Sequence, residues 1–280
     1  MSMRRLLFLL ILGIGIGIGT LLFGYREATS MPRIRSAEIG LADWPRGAGA
    51  VKAVLMSDIH VGGPDMPPER LRRIVGQINR LAPDLVLIAG DFVSDKRSAT
   101  RKYSIREAVA PLRDLAAHTK VIAVLGNHDH WRNAPAMRAQ LEALGVVVLD
   151  NQVVEAGPLA IGGIDDDFTG HADSNTTVAA LRRLHGAKLL LSHSPDPFHD
   201  LPDDVGLMLA GHTHCGQIVM PLVGPLATFS RFGPKYRCGV IREGRRVLIV
   251  TAGMGTSIVP LRIGAPPDLW LLRLSGVHRE

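Results

Sequence analysis

The chain has 280 residues, 46% of them hydrophobic and 21% charged, with a formal charge of +6, 11 His and two Cys. That composition excludes an intrinsically disordered chain, and two cysteines exclude both a disulfide scaffold and a multi-cysteine zinc module. Half of the +6 lies in residues 1–50, which carry six Arg against three acids, so the charge gives no ground to expect a nucleic-acid partner.

Leu6 to Phe23 is a run of 18 residues without a charge, with Arg4 and Arg5 before it and Arg26 after it. As a helix it would be about 27 Å long, enough to cross a hydrocarbon core. No polar stripe interrupts it at helical spacing, which argues against a buried helix of a soluble domain. An uncleaved anchor and a cleaved secretory signal remain. Gly24-Tyr25-Arg26-Glu27 offers no small-x-small cleavage site, and this favours the anchor. Residues 1–30 are read as that segment, and 31–50, with Pro32 and Pro45, as a linker or a first irregular strand. Two Arg before the run and three after it leave the orientation open under the positive-inside rule, while the very short basic N-tail favours a periplasmic body.

From residue 51 to 280 the pattern alternates strand and helix. Short apolar runs at Val51–Met56, Leu85–Ala89, Val121–Leu125, Lys188–Leu191 and Val205–Ala210 read as buried strands. Helical patterns cover Pro67–Leu81, Ser104–His118, Ala134–Leu144 and Ser174–His185, and further short strands follow late in the chain. Alternation early and strand enrichment late predict an α/β layer sandwich rather than a purely parallel doubly wound sheet.

Each of the five apolar runs stops at residues of metal-ligand type. These are Ser57-Asp58-Ile59-His60, Gly90-Asp91, Gly126-Asn127-His128-Asp129, Ser192-His193 and Gly211-His212-Thr213-His214. Carboxyl ends of strands are where open α/β sheets place their sites. A single histidine is more often an ordinary core or surface residue, but five such clusters in order are not a chance pattern. Mixed oxygen and nitrogen donors without thiolate suit Mn, Fe, Zn or Ni better than Mg or Ca.

Taken together, Asp58-x-His60, Gly90-Asp91, Gly126-Asn127-His128-Asp129, His193 and Gly211-His212-x-His214 resemble the complete signature of the calcineurin-like metallophosphoesterases. The resemblance runs from about residue 50 to residue 280. Trp131, Gly163-Ile164-Asp165-Asp166, Gly216-Gln217 and Pro260-Leu261-Arg262 before Ala265-Pro266-Pro267 are similar to the membrane-tethered YkuE/YaeI-like bacterial branch. This implies a four-layer α-β-β-α sandwich behind one N-terminal transmembrane helix, at the bacterial inner membrane.

The resemblance also implies two divalent ions, with Mn favoured. Asp58, His60, Asp91 and His214 would hold the first; Asp91, Asn127, His193 and His212 would hold the second. In this expectation a metal-bridging hydroxide attacks phosphorus and His128 assists the leaving group. Asp129 would orient His128 or cap the following turn.

The implied activity is that of a phosphodiesterase or pyrophosphate hydrolase on a lipid-linked substrate such as UDP-2,3-diacylglucosamine, an intermediate of lipid A biosynthesis. That substrate would put the domain on the cytoplasmic face. A general phosphodiesterase or phosphatase of the cell envelope is the alternative, and a non-catalytic metal-binding scaffold is a weaker one.

Other residues read more plainly. Arg231, Lys235 and Arg237, interleaved with Phe229, Phe232 and Tyr236, are candidates to bind an anionic or lipid-bearing substrate, with a solvated loop as the alternative. Asp165-Asp166-Asp167 reads as a solvated loop and His130 as a pocket-lining or exposed residue. His118, His171, His185, His199 and His278 read as ordinary. Cys215 reads first as a small buried filler, with a contact to the metal pocket or a disulfide to Cys238 as alternatives.

Overall fold

The computed structural model describes residues 2–277, so His278 lies outside the described residues. Helix α1 (Met3–Thr29) is followed by strand β1 (Arg33–Leu41), β2 (Val51–Met56), α2 (Pro68–Arg80) and β3 (Leu85–Ala89). Next come α3 (Ile105–Val109), α4 (Arg113–Ala116), β4 (Lys120–Val124), α5 (Asn127–Glu142) and β5 (Val147–Val148). The second half holds β6 (Gln152–Ala156), β7 (Leu159–Gly163), α6 (Ser174–Leu181), β8 (Ala187–Leu191) and β9 (Leu207–Ala210). A small hairpin, β10 (Val219–Met220) and β11 (Gly224–Pro225), precedes β12 (Gly239–Glu243), β13 (Arg246–Val250) and β14 (Asp268–Gly276).

Two six-stranded sheets result, in the orders β1-β14-β2-β3-β4-β5 and β12-β13-β9-β8-β7-β6. Strands β2 to β5 run parallel in the first sheet, and β7, β8, β9 and β13 run parallel in the second. Parallel strands are sandwiched on both faces, which is why their sequences are near-continuous apolar runs. Leu55, Leu87, Ile122, Leu189, Leu209 and Ile249 fill the space between the sheets. Ile74, Leu112 and Leu141 pack α2 to α5 on the first sheet, while Val178 and Leu181 of α6 pack on the second. The four layers are the expected α-β-β-α sandwich.

Helix α1 is long and apolar enough to cross a membrane, and its apolar window is wholly exposed. Only Gly24 and Ala28, near its C-terminal end, are buried against the rest of the protein. Residues 33–41 are a regular strand, paired parallel with β14 through nine residues, where a linker or an irregular strand was expected. The helix expected over Ser104–His118 is broken into α3, a 3₁₀ turn and α4, because Pro111 removes a backbone donor there.

The helix expected at Ala134–Leu144 is the second part of α5. Asn133 interrupts the helix with extended backbone and accepts the Ala136 N–H at 3.0 Å, capping the part that follows. The first part begins at Asn127, so that Asn127, His128 and Asp129 form a helical N-terminus. A loop signal in the sequence thus proves to be the start of a helix.

Cys215 and Cys238 form a disulfide with their Cα atoms 4.8 Å apart, which replaces the reading of Cys215 as a filler. It closes the 23-residue loop that carries the β10–β11 hairpin. Chain-entropy arguments value closure of such a loop at about 3 kcal/mol. Peptide mapping under non-reducing conditions is expected to recover the Cys215–Cys238 link, and reduction is expected to lower the urea midpoint of the detergent-solubilised protein. Two free thiols in protein purified without reductant would contradict the pairing.

Candidate metal centre

The carboxyl ends of β2, β3 and β4 in one sheet and of β8 and β9 in the other converge at one end of the sandwich. Each delivers its polar cluster there, and Asp58, His60, Asp91, Asn127, His193, His212 and His214 are all buried. The backbone is strained at five of them. Asp58, His60, Asp91, His212 and His214 have φ between 49° and 67°, the left-handed region that costs a residue with a Cβ about 1–2 kcal/mol. Such strain persists where the surroundings impose it, and it collects at functional sites.

Two glycines make room. A Cβ at Gly126 would collide with the Asp91 carboxylate, and one at Gly211 would collide with Ser57 Oγ and the Asp58 carboxylate. Backbone N–H groups then aim the acids. His212 N–H donates to Asp58 Oδ2 at 3.0 Å, and His128 N–H donates to Asp91 Oδ1 at 2.9 Å, leaving Asp91 Oδ2 facing the cluster.

Donor atoms gather in two sets that share Asp91. In the first, His60 Nε2 lies 3.1 Å from His214 Nε2, 3.4 Å from Asp91 Oδ2 and 3.9 Å from Asp58 Oδ1. His214 Nε2 is 3.5 Å from Asp58 Oδ1. In the second, His193 Nε2 lies 3.2 Å from Asp91 Oδ2, 3.1 Å from Asn127 Oδ1 and 3.1 Å from His212 Nδ1. Ligand atoms bound at right angles to a transition-metal ion, about 2.1 Å from it, stand about 3 Å from one another. The second set has that spacing and the first, at 3.1–3.9 Å, is slightly wider; with a donor chemistry suited to divalent metals, the residues fit the ions that the sequence implies.

Electrostatics agree. Burial holds the imidazoles of His60 and His214 well below the usual range and His212 down to about 3, so these rings keep free lone pairs. Burial pushes Asp58 up to about 6. At Asp91 burial acts in the same direction, but His193 and His128 outweigh it and hold the carboxyl well below its usual value. His193 is raised well above its usual value despite burial, because Asp91 faces it. Its Nδ1–H donates to Ala89 O at 2.7 Å, so the proton on Nε2 is the one a cation would displace.

His128 stands beside the two sets, with Nε2 4.0 Å from Asp91 Oδ2. Its Nδ1 pairs with Asp95, a residue the sequence did not single out. Burial opposes charging of His128, yet Asp91 and Asp95 together raise it. Asp129 does not orient His128. Its carboxylate accepts the N–H groups of Gly126, Asp91 and Phe92 at 2.8–3.0 Å, capping α5 and tying it to the loop after β3. Asp95 stands in Asp95-Lys96-Arg97, which in a sequence looks like any solvated charge run.

A cleft of about 410 Å³ opens above these groups, with Asp91, Asn127, His128, His212 and His214 on its floor. Trp131, Phe168, Phe229 and Ile258 give it an apolar wall, and the exposed Arg97 stands at the mouth. Arg231, Lys235 and Arg237 do not line it. Arg231 is held by Asp167 and Asp196, Lys235 pairs with Glu243, and Arg237 donates to Cys215 O. Of that segment only the aromatic Phe229 reaches the cleft.

Asp165 and Asp166 are buried rather than solvated. Asp165 pairs with His130 at 2.8 Å, and His130 stacks on His171 with ring centroids 4.2 Å apart.

Residues 51–216 match the calcineurin-like phosphoesterase family. The chain belongs to that family. It is 31% identical over 243 residues to the metallophosphoesterase YkuE of Bacillus subtilis, a match covering 84% of this chain and 82% of that protein. It is 27% identical over 266 residues to a transmembrane protein with metallophosphoesterase domain from Danio rerio, covering 88% of this chain and 58% of the fish protein. A Helicobacter pylori metallophosphoesterase is 27% identical over 263 residues, and the match spans 66% of its length. Among solved structures, the 5'-nucleotidase precursor of Thermus thermophilus aligns with a TM-score of 0.43 at 14% identity, covering 80% of this chain and 55% of that one. Family membership and the clustered donors make this a phosphoester hydrolase of the metal-dependent kind.

The Gly211→Ala substitution is expected to leave the protein folded but to displace Asp58, lowering divalent-metal retention after dialysis by about tenfold or more. Elemental analysis beside a thermal melt checks this. Unchanged metal content would show that the close approach at Gly211 does not matter.

Proposed function

We propose that the protein is a dinuclear phosphodiesterase or pyrophosphate hydrolase acting on a lipid-borne substrate at the membrane surface. The observation that carries this is the pair of donor sets sharing Asp91 beneath an apolar-walled cleft, in a chain whose helix α1 is long and apolar enough to cross a membrane. Asp58, His60, Asp91 and His214 would hold one divalent ion, and Asp91, Asn127, His193 and His212 would hold the other, with Mn the favoured metal. Bound ions supply Lewis acidity toward phosphoryl oxygens and a water activated near neutral pH.

The chain's own residues do the rest. Asp58 and Asp91, fixed by backbone N–H groups, present one charged edge each to the ion sites. Asp95 holds Nδ1 of His128, which turns Nε2 toward the cleft floor, where it donates a proton to the leaving-group oxygen. Trp131, Phe168, Phe229 and Ile258 exclude water and accommodate an apolar portion of the substrate. Arg97 meets a further negative charge at the mouth.

The Cys215–Cys238 pair favours an oxidising compartment and hence the periplasmic side. UDP-2,3-diacylglucosamine, which requires the cytoplasmic face, is therefore a substrate to test beside lipid phosphodiesters.

Full-length protein in detergent, stripped with EDTA, is expected to lose hydrolysis of aryl phosphodiesters and to regain it with Mn. His128→Ala should lower kcat by about 10²–10⁴-fold with metal content unchanged. Asp95→Asn should lower it by about tenfold to a hundredfold through loss of the ring's orientation. Full turnover by metal-replete His128→Ala protein would remove His128 from the reaction. Hydrolysis of simple diesters alone, with none of a lipid-borne substrate, would leave the envelope phosphodiesterase reading in its place.

A further inference from the structure

The end of α1 is built into the loops that back the cleft. Gly24 O accepts the Arg262 N–H at 2.9 Å, and a Cβ at Gly24 would touch Leu261 and Ile263. Ser30 O accepts from the buried Arg70 at 2.6 Å. The C-terminal part of α1 is thus fixed on the Leu261–Ile263 segment.

The β10–β11 hairpin is joined to the other edge of that same segment. Ile218 bridges to Ile263, and Val219 N–H donates to Ile263 O at 2.8 Å. Gln217 binds Val259 O through its amide nitrogen and Ser257 N–H through its amide oxygen, joining the hairpin base to the Ile258 loop.

This joined surface has an unusual composition. From Gln217 to Ser230 there is no charged residue, and between residues 255 and 267 the one charge, Arg262, is fully buried. Leu222 is fully exposed, and Val223, Leu226 and Ile258 are each more than half exposed. Scattered exposed leucines need no explanation, but a contiguous charge-free patch marks an interaction surface. This one runs from the C-terminal part of α1, a helix long and apolar enough to cross a membrane, to Ile258 and Phe229 at the cleft wall.

We propose that the β10–β11 hairpin is a second membrane contact, an apolar lip that enters the lipid leaflet beside α1 and brings the cleft mouth down onto the bilayer. The proposal rests on reading α1 as an anchor, and it gives a physical route by which a lipid-borne phosphoester reaches the donor sets without leaving the membrane. The disulfide at the base of the loop holds the lip in place while its tip is free of the rest of the fold. Burying four aliphatic side chains in the interface region adds to the hold of the helix and fixes the tilt of the domain.

The test uses the full chain in phosphatidylcholine nanodiscs, with Leu222→Trp read as the difference from the parent protein. The indole introduced at 222 is expected to be quenched by acyl-chain-brominated lipid at least about twofold more strongly than by aqueous acrylamide. Quenching by acrylamide with no effect of brominated lipid would overturn the proposal, and so would shielding from both, which would mean that a second copy or another protein covers the lip.

A second variant, Leu222→Asp combined with Leu226→Asp, is expected to leave turnover of a soluble aryl diester unchanged. It should raise KM for a phosphodiester presented in vesicles by about tenfold. Equal loss on both substrates, or no loss on either, would count against a membrane role. If the parent hydrolyses no diester at all, the catalytic reading fails, and the lipid quenching still decides the lip.

Discussion

Asp91 carries its charge in a place where burial alone would neutralise it. It lies at the seam between the two sheets, after the central strand β3, and its two oxygens divide the work. Oδ1 takes the His128 N–H and so fixes the start of α5, while Oδ2 faces His60 from one side and His193 from the other. Asp129 reinforces this by accepting the Asp91 N–H along with two others. Three loops are therefore pinned to one carboxylate. An uncompensated charge there would be costly, and the arrangement suits a carboxylate that faces divalent cations.

The requirement spreads outward. Sharing one carboxylate brings loops from both sheets within hydrogen-bonding distance, which leaves no volume for side chains at Gly126 and Gly211. It also bends the backbone at Asp58, His60, Asp91, His212 and His214 into the left-handed region. Arg262 supports the far side of the cluster. Its guanidinium donates to Ala252, Gly255 and Ala265 carbonyls, and Nη2 lies 3.3 Å from His214 Nδ1. Its own N–H donates to the carbonyl of Gly24 in α1. One residue thus couples the position of His214 to the C-terminal end of α1.

What the sequence made legible follows from how local each signal is. Buried parallel strands are uninterrupted apolar runs, so β2, β3, β4, β8 and β9 are visible, and the ligand-type residues directly after them are visible too. Asp95 was not, because its role depends on a contact with His128, 33 residues away, and an acid in a charged tripeptide carries no local mark. Residues 33–41 were unclear for the same reason: an edge strand with only Ile39 and Leu41 buried has little apolar pattern to show. Arg231, Lys235 and Arg237 misled in the opposite direction. Basic residues among aromatics suggest an anion site, but Asp167, Asp196, Glu243 and a backbone carbonyl had already claimed them.

The division between what holds the fold and what performs chemistry is also spatial. Three apolar layers, one between the sheets and one under each set of helices, run the length of the sandwich and involve none of the seven donor residues. Burying side chains such as Leu87, Leu189 and Leu209 contributes about 1.5–3 kcal/mol each, whether or not an ion is bound. At five of the seven donor residues the backbone is left-handed, in loops just beyond the strand ends, where a bound cation would help to offset the strain. The protein differs in this from small metal-folded modules, whose chains have no core without the ion. Here the sandwich has a core of its own, and the donor atoms of each set already stand within 3.9 Å of a neighbouring donor.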